Sequence, residues 1–150
     1  MSEKITLRGF VATDVTERTT NTNTSIATFR VGCSDRRFNQ ESKEWETTYT
    51  NWYTINCFRN LANHVAYSIR KGQPVIITGR LKQKSWQTKD GDPRTTWEVD
   101  AEAVGHDLVF GSTSFERTTY QGNQGQTEPQ LAPVGGGETE EEWGVFEGSR

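Results

Sequence analysis

The sequence predicts a mostly β-stranded domain with one short helix, followed by a tail without regular structure. Three observations lead to this prediction. Several segments alternate apolar and polar residues, which is the period of a strand with one buried face. One segment beginning near Asn60 instead has apolar residues at helical spacing. Beyond residue 111 the chain is rich in Gly, Thr, Gln and Glu and has no sustained period.

Composition and charge support this division. The chain has 150 residues, of which 31% are hydrophobic, so it can form one domain but cannot pack along its whole length. Residues 1–111 carry a net charge of +2, and residues 112–150 carry a net charge of −5. No run is apolar enough to span a membrane, and the N-terminus lacks a signal-peptide core, so we expect a cytoplasmic protein.

Three strands are predicted ahead of the helix, each alternating so that one face can be buried. They are the segments KITLRGFVA (residues 4–12), TSIATFRVGCS (residues 24–34) and YTNWYTINCFRN (residues 49–60). The polar residues 13–23 should form a loop, and the charged residues 35–48 should form the tip of a long hairpin.

The helix has recognisable start and stop signals. Asn60 is the expected N-cap, the apolar Leu61, Val65 and Ile69 follow at helical spacing, and cations precede the stop residue Gly72. Two further strands are predicted after the helix, at residues 75–86 and 95–104, with a turn region between them.

Three strands, a helix and two strands form the element order of an OB-fold, a five-stranded Greek-key barrel. The helix would close one end of the barrel. A five-stranded SH3-like barrel is the alternative, but it does not explain a helix at this position. We therefore expect an OB-fold domain at residues 1–111 and a flexible acidic tail at residues 112–150, with a linker up to residue 137 and a short interaction motif after it.

Two strands carry large aromatic side chains on the face that should be wet. In the third strand, Tyr53, Ile55 and Cys57 face inward, and Trp52, Thr54, Asn56 and Phe58 face outward. In the fourth strand, Val75, Ile77, Gly79 and Leu81 face inward, and Arg80, Lys82, Lys84 and Trp86 face outward. Together these outward faces interleave aromatic planes with positive charge.

Such a surface suits single-stranded nucleic acid. Bases stack on aromatic side chains, and cations neutralise the phosphates between them. A duplex hides its base faces, so exposed aromatic residues would contribute little to duplex binding. The alternatives are that the aromatic residues form a subunit interface and that the cations protect a strand edge from aggregation.

The hairpin adds further candidates. Phe38 is expected to contact nucleic acid, with Arg36, Arg37 and Lys43 supplying positive charge, while Trp45 either joins them or packs on the hairpin itself. Trp97 shares a strand side with apolar residues, which favours a core or interface position over nucleic-acid contact.

Nothing in the sequence favours catalysis or a bound cofactor. Cys33 and Cys57 fall on inward positions and are interpreted as reduced core thiols, with a disulfide or a metal site as the minor alternative. His64 should lie inert on the helix surface. The histidines share no metal-ligand motif, and no grouping of Cys, His and Asp has a catalytic spacing, so we expect neither a metal nor an enzyme.

The segment TNWYTINCFRNLANHVAYSIRKGQPVIITGRLKQKSW resembles the bacterial single-stranded DNA-binding protein family, and the resemblance extends over residues 4–111. The segments RRFNQESKEWET and TTWEVDAEAVG are most similar to its actinobacterial branch. The resemblance implies an OB-fold that assembles as a homotetramer, with single strands wrapped around it. It implies base stacking on Trp52, Phe58, Trp86 and Phe38, and phosphate contacts from Arg36, Arg80, Lys82 and Lys84.

The function expected is sequence-independent binding and protection of single-stranded DNA at the nucleoid, in replication, recombination or repair. A protein-interaction module and an RNA-binding domain remain alternatives, because stacking does not distinguish DNA from RNA. The family's main replicative members end in an acidic run closed by Pro-Phe, whereas here ETEEEW is followed by VFEGSR. The resemblance implies that replication or repair proteins contact this tail, but the departure at its tip counts against their recruitment. A specialised paralogue or a mobile-element copy is the alternative to a housekeeping protein. The tail residues concerned are Glu140, Glu141, Glu142, Trp143 and Phe146.

Overall fold

The computed structural model describes residues 1–119, which contain six strands and one helix. In chain order the elements are β1 (Lys4–Val11), β2 (Thr16–Thr19), β3 (Ser25–Asn39), β4 (Glu44–Phe58), α1 (Asn60–Ser68), β5 (Pro74–Gln87) and β6 (Pro93–His106). The chain divides into two compact units, Met1–Ser114 and Phe115–Arg150. The first unit holds all of these elements, and residues 115–119 of the second form neither helix nor strand.

The strands form one sheet that closes on itself. Their order is β1-β5-β6-β4-β3-β2, and an additional pairing of β1 with β3 closes the barrel at Phe10 opposite Gly32 and Val11 opposite Val31. The pairing of β4 with β6 is parallel, and the other pairings are antiparallel. Five strands thus form the predicted barrel, and β2 lies at the edge beside β3.

The core lies inside the barrel and consists of the residues that alternation placed on the inner faces. Phe29, Val31, Ile55, Ile77 and Val99 are completely buried there. The helix packs against β3 and β4 through Ala62 and Val65, and Ile69 joins the same core just after it. Because burial of apolar surface drives folding, the inner faces determine which faces the strands leave open to solvent.

The ends of the helix differ from the prediction. Asn60 is the first helical residue rather than the cap; the cap is Arg59, whose φ of 60° is left-handed and whose side chain makes no capping hydrogen bond. The last turn contains no basic residue. Arg70 instead follows the helix, and its Nη1 donates hydrogen bonds to the carbonyl oxygens of Ala66 at 2.6 Å and Ile69 at 3.0 Å. The cation therefore satisfies helix carbonyls from outside the last turn.

The prediction missed strand structure that has no buried face. Residues 13–23, expected to be a loop, contain β2, whose four residues are all exposed. The tip of the β3–β4 hairpin is also short, because the two strands remain paired out to Asn39 and Glu44. In both places backbone hydrogen bonds to a neighbouring strand hold the structure. Because neither segment has a buried face, its side chains show no alternation of apolar and polar residues that a sequence pattern could reveal.

Candidate nucleic-acid interface

The aromatic residues predicted to stack on bases lie on the outer surface of the barrel. Trp52 is 49% exposed, Phe58 39% and Trp86 49%. On β4 the outward position follows from the burial of Ile55 and Cys57 on the opposite face. The structure thus leaves flat apolar surface open where the sequence pattern placed it.

Trp52 is held by residues of the neighbouring strand. Gly32 is its cross-strand partner on β3, and the guanidinium carbon of Arg30 lies 5.4 Å from the centroid of the Trp52 ring. A cation over an indole face is attracted by the ring quadrupole. Arg30, which the sequence analysis did not single out, therefore places positive charge at the tryptophan.

Trp86 lies near the far end of β5, where its indole Nε1 donates a hydrogen bond to Oγ1 of Thr96 on β6 at 3.3 Å. The hydrogen bond limits rotation of the ring while the side chain stays half exposed. Restricting a stacking side chain before a base arrives reduces the entropy that binding must overcome.

The long hairpin carries a second aromatic site. Phe38 and Trp45 are cross-strand partners, and their ring centroids lie 5.5 Å apart in an edge-to-face arrangement. Both rings are exposed. Arg36 and Arg37, also exposed, precede Phe38 on β3, and neither forms an ion pair with any residue in the described range 1–119. The structure therefore brings Trp45 to Phe38 beside two available cations.

Of the two positions predicted for Trp97, core or interface, the core is wrong, because Trp97 is 44% exposed; the interface position stays a prediction. It lines an open depression of about 310 Å³ together with Trp52, Tyr53 and Leu81. Strands β5 and β6 continue past the end of the barrel core, so their inward side is open to solvent there. Trp97 and Trp52 thus line the same open depression.

The three cations predicted to bind phosphates on β5 are all engaged in ion pairs. Lys82 pairs with Asp100, and Lys84 pairs with Glu98 at 3.9 Å. Arg80 shares Glu102 with Lys4 of β1; the N–O distances are 3.3 Å for Arg80 and 3.0 Å for Lys4. The positive charge predicted for the outer face of β5 is therefore largely neutralised by carboxylates on β6.

The acidic partners on β6 escaped the sequence prediction, although a signal for them was present. Glu98, Asp100 and Glu102 alternate along TTWEVDAEAV, as the three cations alternate along β5. In the antiparallel register Arg80 lies opposite Asp100 and Lys82 opposite Glu98. The ion pairs run diagonally to this register, from Lys82 to Asp100 and from Lys84 to Glu98. Aligning the two outward faces across the predicted turn would have indicated that opposite charges face each other, but not which residues pair. The hydrogen bond from Lys4, with help from Arg80, lowers the pKa of Glu102 below its ordinary value.

Residues 2–107 match the single-strand binding protein family. The chain belongs to this family. It is 39% identical to a single-stranded DNA-binding protein of Corynebacterium glutamicum over 119 residues, covering 79% of this chain and 53% of the relative. It is 38% identical to single-stranded DNA-binding protein 2 of Tropheryma whipplei over 117 residues, covering 78% of this chain and 76% of the relative. The chain thus spans about half the length of the Corynebacterium relative.

Two solved structures of single-strand binding family proteins share the fold. The crystal structure of a small single-stranded DNA-binding protein from Streptomyces coelicolor superposes with a TM-score of 0.67 at 32% identity, covering 74% of this chain and 99% of that one. The second single-stranded DNA-binding protein of Mycobacterium smegmatis gives a TM-score of 0.59 at 26% identity, covering 78% and 100%. These similarities confirm the predicted OB-fold and the predicted actinobacterial type of the family.

Both cysteines are free thiols in this member of the single-strand binding protein family. Burial raises the pKa of the Cys57 thiol to about 12 and also raises the pKa of Cys33, so both stay protonated at neutral pH. His64 is exposed on the helix. Within residues 1–119, no group of His, Cys, Asp and Glu is arranged to hold a metal ion, and no helix is long and apolar enough to cross a membrane.

The predicted partner-binding residues of the tail lie outside the described part of the chain. They are Glu140, Glu141, Glu142, Trp143 and Phe146.

Proposed function

We propose that this chain binds single-stranded DNA without regard to sequence and protects exposed strands during replication, recombination or repair. The observation that carries the proposal is the outer surface of β4, β5 and the hairpin. There Trp52, Phe58, Trp86 and Phe38 stand open to solvent with cations between them. The names of the relatives, which are single-stranded DNA-binding proteins, point the same way.

Stacking on these four aromatic residues would supply most of the affinity. Each stacked base contributes about 1–3 kcal/mol, and every base has a face that can stack. Binding of this kind is therefore tolerant of sequence, and it favours strands whose bases are not already stacked in a duplex.

The phosphates would be contacted first by cations that are not engaged in ion pairs. Arg36 and Arg37 on the hairpin and Arg30 beside Trp52 have no ion-pair partner within residues 1–119. Arg80, Lys82 and Lys84 would contact phosphates from within their ion pairs, so we assign them a smaller share of the electrostatic attraction.

We further propose that the protein assembles as a homotetramer. An apolar surface on the outer side of β1 and β5 supports self-association. The Phe10 and Phe110 rings meet there with centroids 5.3 Å apart. Ile76 on β5, and Leu108 and Val109 just after β6, are also exposed apolar residues. Exposed apolar residues of this kind are typical of an interface between subunits.

In this proposal residues 1–111 bind DNA, and residues 112–150 form a separate tail. The tail's net charge of −5 would repel DNA and suits basic surfaces on partner proteins. Replication or repair proteins are the partners that we propose for it. Because the proposed ligand is single-stranded DNA, we propose that the protein acts in the cytoplasm, at the nucleoid.

The proposal can be tested by titrating the intrinsic tryptophan fluorescence with oligo-dT, with oligo-U and with a duplex, each at low and high salt. We expect strong quenching by oligo-dT, weak or no quenching by the duplex, and an affinity that falls as salt rises. Light scattering on the same sample should give the mass of a tetramer. Quenching by oligo-U alone would make the protein an RNA-binding domain. No quenching by any oligonucleotide, with a folded oligomer, would contradict nucleic-acid binding altogether.

A further inference from the structure

The outer faces of β1, β5 and β6 carry a continuous row of charged side chains. We call it the ion-pair row, and it consists of Lys4, Arg80, Lys82 and Lys84 with Glu98, Asp100 and Glu102. With four cations and three carboxylates its net charge is only +1. Without the carboxylates, this surface would be a strongly positive stripe that attracts any polyanion.

The two signs of charge differ in their access to solvent. The cation side chains are 56 to 66% exposed, whereas the carboxylate side chains are 20 to 37% exposed. A nucleic acid that approaches the row therefore meets the cations first. The carboxylates remain close beneath them, because their shielded side chains have little room to swing away.

Glu98 is also held from the opposite side. The amide Nδ2 of Asn56 on β4 donates a hydrogen bond to Glu98 Oε2 at 3.2 Å, and Asn56 Oδ1 in turn accepts one from Thr28 Oγ1 at 3.2 Å. With Lys84 on β5, Glu98 has a partner on each neighbouring strand. Its negative charge is thus fixed between β4 and β5.

The order of strands places the carboxylates on the proposed path of the DNA. Strand β6 lies between β4, which carries Trp52 and Phe58, and β5, which carries Trp86. A single strand that stacks on both sets of aromatic residues must therefore cross the outer face of β6. That face carries Glu98 and Asp100.

We propose that Glu98, Asp100 and Glu102 are specificity-determining residues that suppress binding driven by phosphate attraction alone. This inference rests on the proposed function. A duplex offers this surface phosphates but no open base faces, so the carboxylates cancel most of its attraction. A single strand gains stacking on the aromatic residues in addition, and that gain offsets the cost of bringing phosphates close to the carboxylates. The ion-pair row thus makes the protein discriminate single strands from duplexes.

The test is the triple variant E98Q/D100N/E102Q, which keeps the side-chain shapes and removes the negative charges. Binding of labelled oligo-dT and of a labelled duplex of the same length is followed by fluorescence anisotropy over a range of salt. At low salt we expect duplex affinity to rise about tenfold or more, because the four cations of the row are released from their carboxylate partners. We expect a smaller rise in affinity for oligo-dT. For both ligands the slope of the logarithm of affinity against the logarithm of salt concentration should become steeper, by about 0.7 per newly neutralised phosphate on the single strand and about 0.9 on the duplex.

A matched control is the variant D14N/E17Q/E116Q. It changes the net charge by the same amount at three exposed acids outside the ion-pair row. If it increases duplex binding as much as the first variant does, overall charge explains the effect and the proposal is wrong.

The single variant E102Q guards against misfolding of the triple variant, since Glu102 is the most exposed of the three carboxylates. It should give a smaller increase in duplex affinity in the same direction. Unchanged duplex affinity in a folded variant that still binds oligo-dT would overturn this inference alone. Failure of the unmodified protein to bind oligo-dT would instead overturn the proposed function.

Discussion

Gly32 and Trp52 face each other across β3 and β4, and a Cβ atom at Gly32 would lie 3.0 Å from Cζ3 of the Trp52 ring. That separation is tighter than ordinary van der Waals contact, so the ring needs a residue without a side chain beneath it. The absence of a Cβ at Gly32 therefore sets how closely the indole approaches the sheet, and with it the face offered to a base.

We accordingly predict that Gly32→Ala shifts the Trp52 ring outward and weakens binding of oligo-dT. The outer part of the Trp52 ring is open to solvent and can shift by a few tenths of an ångström, so the free energy of unfolding should change by less than about 1 kcal/mol. The measurement pairs urea unfolding with a fluorescence titration. Unaltered affinity and quenching amplitude would show that the position of Trp52 does not matter for binding.

Gly79→Ala is the matched comparison, because a Cβ there would lie 2.8 Å from Cγ1 of Val99 and 2.9 Å from Cα of Ala101. This neighbourhood is buried and includes backbone, which cannot move aside cheaply. We expect a loss of about 1–3 kcal/mol in the free energy of unfolding. A stability loss for Gly32→Ala as large as that for Gly79→Ala would contradict the distinction between the two sites.

Removing a stacking side chain should weaken DNA binding without unfolding the protein. We predict that Trp52→Ala and Trp86→Ala each weaken binding to oligo-dT by about 1–3 kcal/mol. The control is Tyr67→Ala, which removes an aromatic side chain that is 79% exposed on the helix. Anisotropy with labelled oligo-dT avoids dependence on tryptophan quenching. If both tryptophan variants bind as the unmodified protein does, these rings do not stack on bases.

Asp107 should make stability depend on acid pH. Its side chain is only 4% exposed, and its Oδ2 accepts hydrogen bonds from Arg8 Nε at 2.9 Å and Nη2 at 2.7 Å. The hydrogen bond from Arg8, helped by the backbone N–H of Val109, lowers the pKa of Asp107 below its ordinary value. A carboxyl whose pKa is lower when folded stabilises the protein above its unfolded pKa. This contribution is lost as pH falls through the folded pKa.

We therefore predict that Asp107→Asn lowers the urea midpoint at neutral pH and has less effect below about pH 4, where the unmodified protein has begun to lose the same interaction. Urea unfolding at a series of pH values measures both effects. Asp14→Asn, at an exposed site, serves as the control. An equal loss of stability for Asp107→Asn at every pH would show that ionisation of Asp107 does not contribute.

Sequence patterns correctly predicted which side chains of the barrel strands face the core and which face solvent. Alternation placed Ile55 and Cys57 inside the barrel and Trp52 and Phe58 outside it, because burial on one face forces the side chains between onto the other. The OB-fold was predicted from the number of such segments and from their order along the chain relative to the helix. These features depend on local periodicity, which a single sequence contains.

The features that were missed depend on contacts between strands or on exposed backbone. Strand β2 has no buried face, and the carboxylate partners of Lys82 and Lys84 lie on a different strand whose register had to be known. Trp97 lies outside the core because β6 continues beyond the barrel core, which alternation cannot show. The phosphate-binding roles of the cations on β5 and the hairpin remain predictions.

Trp45 gives the last prediction, because the sequence alone did not decide between nucleic-acid contact and packing on the hairpin. Its edge-to-face contact with Phe38 means that the two rings depend on each other for position. We predict that Phe38→Ala and Trp45→Ala each weaken oligo-dT binding, and that the double variant loses less than the two single losses combined. The difference should be about 0.5–1.5 kcal/mol, the range for an aromatic pair. The pair Tyr67→Ala and Trp45→Ala should instead be additive, since Tyr67 lies on the helix. Additive losses for Phe38 and Trp45 would mean that they contact DNA independently. No loss for Trp45→Ala would mean that Trp45 does not contribute to DNA binding.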